Sequence, residues 1–282
     1  MTAPGPSWDL LADLQLLLQF HFMQNALLAG TLVALLAGAI GYFVVLRGQS
    51  FATHMLSQVG FPGAAAAVLV HASPVLGLLV FCAGGALGIG WSGRTVDAGR
   101  RTEAAAVGSI LAFSIALGLL FFRLYAGSAQ GIFAFLFGTI LGISDQDVLA
   151  TAAAAIAGLG GIAVIGRPLL FASVDPDAAE ARGVPVRAVS VVFLLLIAIS
   201  VAVTVPVIGT LLVFALLVTP AATAQRLTAR PAAALALTIA LSVIFMWGGL
   251  AIAYFSLFPV GFFVTSLAFG SYLAARLVRA AR

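Results

Sequence analysis

Few titratable side chains lie within the apolar segments of this chain. Of the three histidines, His54 lies well inside a segment, whereas His21 and His71 lie near predicted segment ends. Carriers driven by ion gradients usually contain carboxylates or histidine relays inside the membrane. The acidic residues instead stand outside or at the edges of the segments, which weighs against proton coupling through an acidic relay. These residues are Asp9, Asp13, Asp97, Glu103, Asp145, Asp147, Asp175, Asp177 and Glu180.

The residue types also limit which catalytic sites the chain can hold. All 13 basic residues are arginine, and the sequence contains no lysine. The P-loop of ATP-hydrolysing proteins uses a lysine to reach the nucleotide phosphates. We therefore expect no ATPase site in this chain. We also assign it no catalytic residue and no bound cofactor. The single cysteine, Cys82, argues against disulfides and cysteine-based metal clusters.

A polar stretch over about residues 167–187 separates the two halves of the chain and contains the pattern of a short capped helix. An acidic cap and a proline open the pattern, charged residues complement the helix dipole, and a glycine and a proline end it. These residues are Asp175, Pro176, Asp177, Glu180, Arg182, Gly183 and Pro185. Because so short a helix is marginal in water by itself, it needs a docking surface, either on another protein or on the chain's own membrane domain.

The composition dictates the surroundings of these residues. Hydrophobic residues make up 63% of the 282 residues and charged residues only 8%, which is too little charge to cover a soluble domain. Apolar stretches of about 17–25 residues recur, and this length suits crossings of a hydrocarbon core about 30 Å thick. Since helices satisfy their own backbone groups in lipid, we expect an all-α polytopic transmembrane bundle. Residues 21–282 are predicted to form this single domain, after an interfacial N-terminal segment, 1–20.

The apolar stretches predict eight or nine crossings. The predicted helices are about 22–46, 51–70, 74–91, 104–122, 148–165, 188–204, 231–254 and 261–277. A stretch bracketed by Pro206 and Pro220 is either a ninth crossing or re-entrant, and the short apolar piece 132–143 is also a re-entrant candidate. Helix breaks, either beside a transport pathway or as simple kinks, are predicted from their prolines and glycines. The residues concerned are Pro62, Gly63, Pro206, Gly209 and Pro220.

The arginines orient this layout by the positive-inside rule. If Arg47 faces the cytoplasm, nearly all the other arginines do so as well, and only Arg123 falls outside. The N-terminus is then outside and the C-terminus cytoplasmic. Within the first predicted helix, Ala26, Gly30, Ala34 and Gly38 form a ladder of small residues at four-residue spacing. Such a ladder lets another helix approach closely, within the chain or at a homodimer seam.

Several motifs resemble the permeases of the zinc, manganese and iron ABC importers. Residues 175–185 match the D-P-x-x-A-x-x-x-G-x-P pattern of that family's coupling helix, in which Ala179 is the alanine. Residues 207–224 resemble the family run VVGxLLVxALLVxPAATA, and 137–149 resemble FGSIL followed by S-x-x-D-L. The segments 22–47 and 50–63 fit as well, so the resemblance covers nearly the whole chain.

The resemblance implies a homodimeric permease in a bacterial cell membrane that imports a divalent metal ion. It further implies an ATPase dimer, with its own ATP and Mg²⁺, bound at the coupling helices, and an extracytoplasmic solute-binding protein. A permease for a metal chelate, such as a siderophore, haem or a cobalamin-like cargo, is the alternative within the class. An ATP-independent secondary carrier is the alternative from another class.

The resemblance also indicates a pathway site. The family shows an acidic residue and, four positions later, a histidine in the run before Pro-Gly. Aligned on Pro62-Gly63, this chain has His54 and Gln58 at those positions, while Ser57 matches. One helical turn puts both side chains on the same face, where we expect transient metal ligands. Histidine suits zinc, copper or iron, whereas glutamine is a weak ligand and manganese prefers carboxylate oxygen. His54 is equally well explained as a buried histidine bonded to a carbonyl.

Overall fold

The structure, a computed structural model, describes residues 19–92, 100–124, 138–256 and 258–280. These residues form ten α-helices and one 3₁₀ turn, with no strand among them. The helices are α1 (His21–Leu46), α2 (Ser50–Leu69), α3 (Pro74–Ser92), α4 (Arg100–Leu124), α5 (Asp145–Val174), α6 (Pro176–Ala181), α7 (Val186–Ile208), α8 (Thr210–Leu227), α9 (Pro231–Tyr254) and α10 (Val260–Ala280), and the 3₁₀ turn is Ile140–Gly142. The predicted all-helical bundle is confirmed over these ranges. The predictions for residues 1–18, for 132–137 and for Arg94 and Asp97 lie outside them.

Hydropathy distinguishes two groups of apolar helices and sets α2 apart from both. Within the described ranges, α1, α5, α7, α9 and α10 are each long and apolar enough to cross a membrane. Shorter apolar stretches lie in α3, α4 and α8. Helix α2 belongs to neither group because it carries Thr53, His54, Ser57 and Gln58 within two turns. This polar stretch distinguishes α2 from the helices around it.

Helices α1 and α7 form the centre of the bundle. Most residues of both are buried, and α1 packs against α2, α5, α7, α8 and α9. The rings of Phe43 in α1 and Phe193 in α7 meet edge to face, with centroids 6.2 Å apart. By contrast, α5 exposes large apolar side chains such as Ile156 and Val164. That outer surface suits contact with lipid.

The small-residue ladder of α1 packs inside the chain. All four of its residues are buried. A Cβ atom on Gly38 would lie 2.8 Å from the Ile239 Cα of α9, and one on Gly30 would lie 3.0 Å from the Met246 Cγ. Glycine at these positions therefore lets α1 and α9 approach closely, which favours the packing interpretation of the ladder.

Several helix ends differ from the predictions. Helix α2 continues through Pro62 and Gly63 instead of breaking there. Gly63 lets α3 approach closely, because a Cβ at this position would clash with the carbonyl oxygen of Gly77. Helix α5 extends through Arg167 and Pro168 to Val174, and α4 already begins at Arg100. The extension of α4 is polar, Arg100 to Glu103, whereas in α5 an apolar run, 169–174, follows Arg167 and Pro168 within the same helix.

The predicted breaks at Pro206 and Pro220 are also wrong, since both prolines lie inside helices. The chain breaks at Gly209, with φ +81° and ψ 158°, a conformation essentially restricted to glycine. A Cβ on Gly138 would collide with the backbone of Ile208 and Gly209, and the Thr139 N–H donates to the Pro206 carbonyl at 3.2 Å. The described end of the predicted 132–143 piece therefore packs against the α7–α8 break.

Candidate functional site

The polar face of α2 presents an unpaired imidazole nitrogen. His54 and Gln58 are both half-buried and lie one turn apart. The His54 ring packs edge to face against Phe214 of α8, with centroids 5.2 Å apart. Its Nδ1 is buried and has no hydrogen-bond partner in the described part of the chain. Nδ1 is thus not held by a neighbouring carbonyl, and it can bind a metal ion or accept a hydrogen bond.

The residues after His54 add oxygen atoms to this face. The Ser57 hydroxyl donates to the His54 carbonyl at 2.7 Å, so its proton is already used. Pro62 has no N–H, and the Gln58 carbonyl therefore loses the amide donor that normally closes that helical turn. Gln58 can offer both its side-chain oxygen and its main-chain oxygen at one level of the bundle.

Helix α8 brings a further polar residue to the same level. Helices α1 and α8 run in the same direction, since Gly41 lies against Leu217 and the Gln225 Nε2 donates to the Tyr42 carbonyl at 3.0 Å. Helix α2 turns back after three residues and therefore runs antiparallel to α8. One turn beyond the His54–Phe214 contact, α2 carries Gln58 and α8 carries Thr210.

Thr210 is a candidate that the sequence reasoning missed. Its side chain is 1% exposed, and its hydroxyl has no partner among the described residues. Several other helical serines and threonines, such as Thr223 and Thr238, donate to the carbonyl four residues back, whereas Ser200 and Thr204 of α7 are unpaired like Thr210. A single threonine in an apolar run gave no signal, because its position at the level of Gln58 depends on how α2 and α8 pack.

Stronger metal ligands do not gather at this face. No group of three or more His, Cys, Asp or Glu residues lies together in the described ranges. Cys82 is buried in α3, and its thiol donates to the Leu56 carbonyl at 3.3 Å. The polar face of α2 and α8 therefore provides one imidazole nitrogen and several neutral oxygens, a weak ligand set.

The predicted short helix is present as α6. The Asp175 Oδ1 caps it by accepting from the Ala178 N–H at 3.0 Å, and Pro176 occupies its first position. Gly183, with φ +81°, ends it. The N–H groups of Gly183 and Val184 donate to carbonyls of the last turn at 2.9 and 3.0 Å, which is the Schellman arrangement.

One side of α6 faces the bundle and the other is free. Ala179 is fully buried, and α6 packs against α5 and α7. Asp177, Glu180 and Arg182 are exposed, and none of them forms an ion pair within the described residues. The Arg182 guanidinium lies 5.9 Å from the Phe171 ring of α5. Pro185, also exposed, is the N-cap of α7.

Several predicted cytoplasmic residues meet at the α6 end of the bundle. Arg47, at the end of α1, donates to Ser173 of α5 and Ser190 of α7. Arg226, at the end of α8, donates to the Tyr272 hydroxyl of α10 at 3.0 Å. The structure thus brings basic residues from distant parts of the sequence to the end that carries α6.

The opposite end of α1 meets the start of α5. The His21 Nε2 lies 2.9 Å from the Asp145 Oδ1, and the Asn25 Nδ2 donates to the same oxygen at 2.7 Å. Ser144 and Asp147, which fall in the S-x-x-D-L resemblance, form a capping box at the start of α5. This motif therefore has a structural role in beginning a helix.

Comparison with known proteins agrees with these features. Residues 19–279 match the model of the ABC 3 transport family. The chain is 32% identical to the manganese transport system membrane protein MntC of Halalkalibacterium halodurans over 85% of this chain and 80% of that protein. It is 33% identical to the manganese import system permease protein ScaB of Streptococcus parasanguinis over 73% of this chain and 72% of that protein.

A solved structure has the same fold. The structure of PsaBC from Streptococcus pneumoniae in complex with Fab superposes with a TM-score of 0.84 and 28% identity, covering 94% of both chains. The family match covers nearly the whole chain, as does the superposition on this solved structure. The chain therefore belongs to the ABC 3 transport family.

Proposed function

We propose that this chain is the membrane-spanning permease subunit of an ATP-driven importer for a divalent metal ion, with manganese as the first candidate cargo. The observation that carries the proposal is the similarity, over most of the chain, to permeases named for manganese transport. Zinc and iron follow as candidates. A permease of a metal chelate ranks behind them.

The proposed assembly contains two copies of this chain, an ATPase dimer and an extracytoplasmic solute-binding protein. Each copy crosses a bacterial cell membrane eight or nine times through one domain, 21–282, that follows the N-terminal segment 1–20. Nine described helices of 18 residues or more support this count. The α6 end is cytoplasmic, the N-terminus lies outside, and ATP with Mg²⁺ binds only the partner ATPase.

Helix α6 is the proposed docking element for the ATPase. Its exposed acidic residues, Asp177 and Glu180, lack intrachain partners, and its buried Ala179 fixes it to the bundle. Capping at both ends holds α6 in one conformation despite its length of six residues. A force on α6 therefore reaches α5 and α7 directly, because only short caps separate the three helices.

The proposed pathway passes the polar face of α2 and α8. The unpaired His54 Nδ1 and the oxygens of Gln58 and Thr210 are its ligands, and none of them is a carboxylate. Neutral ligands hold a divalent ion weakly, which suits a pathway that must release its cargo. The helix break at Gly209 lies directly before Thr210, where a change in the α7–α8 angle would move this wall.

The test measures uptake by the assembled transporter. The complex is purified through a tag on this chain, reconstituted in liposomes with its solute-binding protein, and supplied with ATP and with manganese, zinc or iron. We expect ATP-dependent accumulation of manganese and slower accumulation after His54→Ala. Accumulation of a chelate without any free divalent ion would replace the cargo assignment, and accumulation that needs no ATP would overturn the importer class.

A further inference from the structure

Arg47 joins the end of α1 to both helices that carry α6. Its Nη2 donates to the Ser190 Oγ of α7 at 2.7 Å, and its Nη1 donates to the Ser173 Oγ of α5 at 3.3 Å. The guanidinium also lies 5.9 Å from the Phe193 ring. Ser173 and Ser190 flank α6 in the sequence. One planar side chain thus bridges the helix before α6 and the helix after it.

The direction of these hydrogen bonds is fixed. The Ser190 hydroxyl donates its proton to the Val186 carbonyl at 2.8 Å, and the Ser173 hydroxyl donates to the Leu169 carbonyl. Each oxygen therefore has only lone pairs left for Arg47. Two fixed acceptors match the planar fork of a guanidinium better than a single-point ammonium group.

The contact of Arg47 with Ser173 and Ser190 places a positive charge in a partly buried position. Arg47 is half-buried, its Nε is buried without a hydrogen-bond partner in the described ranges, and no described carboxylate forms an ion pair with it. Burial lowers the pKa of the guanidinium, although arginine stays charged in proteins. Burying a charge is costly unless it is well bonded, so simple helix packing gives no reason to place arginine here.

A short rigid connection leads from Arg47 to the polar face of α2. The Arg47 N–H donates to the Phe43 carbonyl at 2.9 Å and the Gln49 N–H to the Val44 carbonyl at 2.8 Å. Gly48 between them adopts φ +66°. Helix α2 begins at the next residue after Gln49, so a displacement of Arg47 moves the start of the helix that carries His54.

We propose that Arg47 is the positioning residue that transmits movement of α6 to the polar face of α2. This inference rests on the proposed function, in which an ATPase moves α6. Movement of α5 and α7 pulls on Ser173 and Ser190, and through the guanidinium it shifts the α1–α2 connection. Because the serine hydroxyls are neutral, the hydrogen bonds of Arg47 can rearrange without separating an ion pair.

The test compares metal transported with ATP hydrolysed in the reconstituted complex. For Arg47→Ala we expect the number of ions transported per ATP to fall at least about fivefold, the lower end of usual allosteric couplings, while ATP hydrolysis continues. Ser173→Ala combined with Ser190→Ala removes only two oxygen atoms and is expected to reproduce the effect. Arg47→Lys is expected to restore part of the ratio, because one ammonium group reaches one hydroxyl at a time.

Arg226→Ala is the matched control. Arg226 also bonds a hydroxyl and lies 5.0 Å from the ring of its partner, Tyr272, but it joins α8 to α10 rather than the helices flanking α6. Its substitution is expected to leave the ratio unchanged. An unchanged ratio in the double serine variant, or an equal fall in Arg226→Ala, would overturn the assignment of Arg47.

A separate variant distinguishes this inference from the proposed function. If Asp177→Arg with Glu180→Arg uncouples transport but the serine pair does not, then α6 receives the ATPase and Arg47 does not transmit its movement. If the α6 variant retains normal coupling, the docking role of α6 itself is wrong.

Discussion

The two ends of α1 are both tied to α5, but by opposite physical means. At the α6 end, a permanently charged and half-buried Arg47 bonds neutral serines. At the other end, His21 and Asp145 form a pair whose side chains are 72% and 73% exposed. Water and salt weaken the attraction within an exposed ion pair. The half-buried guanidinium of Arg47 is less accessible to water and salt, so it depends more on its hydrogen bonds. We infer that the hydrogen bonds of Arg47 hold α1 more firmly than the exposed pair of His21 and Asp145 does.

The largest effect is expected from reversing the charge of α6. In Asp177→Arg with Glu180→Arg, we expect ATP-driven uptake to be lost while the bundle remains folded, because both side chains are exposed and form no intrachain ion pair. Uptake in proteoliposomes and the thermal unfolding of the purified chain measure the two quantities. Normal uptake with an intact fold would mean that the ATPase does not act on the bundle through α6.

A second prediction concerns α2, which begins at the firmly held end. His54→Asp with Gln58→His introduces a carboxylate and a histidine on the same face. Manganese prefers carboxylate oxygen, and the added carboxylate brings a negative charge next to the cation, which it attracts. We expect the apparent affinity for manganese to rise about tenfold, which corresponds to about 1.4 kcal/mol.

The matched control for that prediction is Gln58→His alone, which adds an imidazole without a carboxylate. It is expected to raise the affinity for zinc more than that for manganese. Competition between the two metals during uptake measures the difference. A double variant with unchanged selectivity would show that the α2 face does not contact the cargo.

A third, smaller effect tests how much the glycine at the C-terminal end of α6 stabilises this helix. Gly183 has a positive φ and open space around its Cα, so Gly183→Ala suffers only the conformational cost of the left-handed region, about 1–2 kcal/mol. We expect a lower unfolding temperature and faster hydrogen exchange in α6. Gly84→Ala in α3, which also has open space around it but no positive φ, is the control and is expected to be neutral or slightly stabilising.

The smallest effect is expected at the exposed end. Asp145→Asn removes the charge of the pair with His21 while keeping an oxygen that can accept from Asn25. We expect the unfolding temperature to change less than it does for Gly183→Ala, and added salt to have equally little effect on the native chain. A fall larger than that of Gly183→Ala would reverse the comparison between the two ends of α1.

Local features of the sequence predicted local features of the structure. Asp175, Pro176 and Gly183 predicted α6 correctly, because capping involves groups only a few residues apart. The break at Gly209 was also predicted. The breaks assigned to Pro62, Gly63, Pro206 and Pro220 were wrong. A proline inside a helix removes one hydrogen bond, and neighbouring helices can still hold the helix together.

The sequence by itself determined the class of the protein. A chain with 63% hydrophobic and 8% charged residues has too little charge to be surrounded by water, and apolar helices follow from the need to satisfy the backbone in lipid. That inference needs only composition and segment lengths, and the motifs along the chain then pointed to the family.

Only the tertiary structure decided which residues act together. The serines that bond Arg47 are 126 and 143 residues away in the sequence, and Thr210 reaches the level of Gln58 only because α2 and α8 run antiparallel. Such pairs depend on how whole helices cross, and helix crossing is set by the combined shape of many small side chains. No local pattern around Arg47 or Thr210 encodes it.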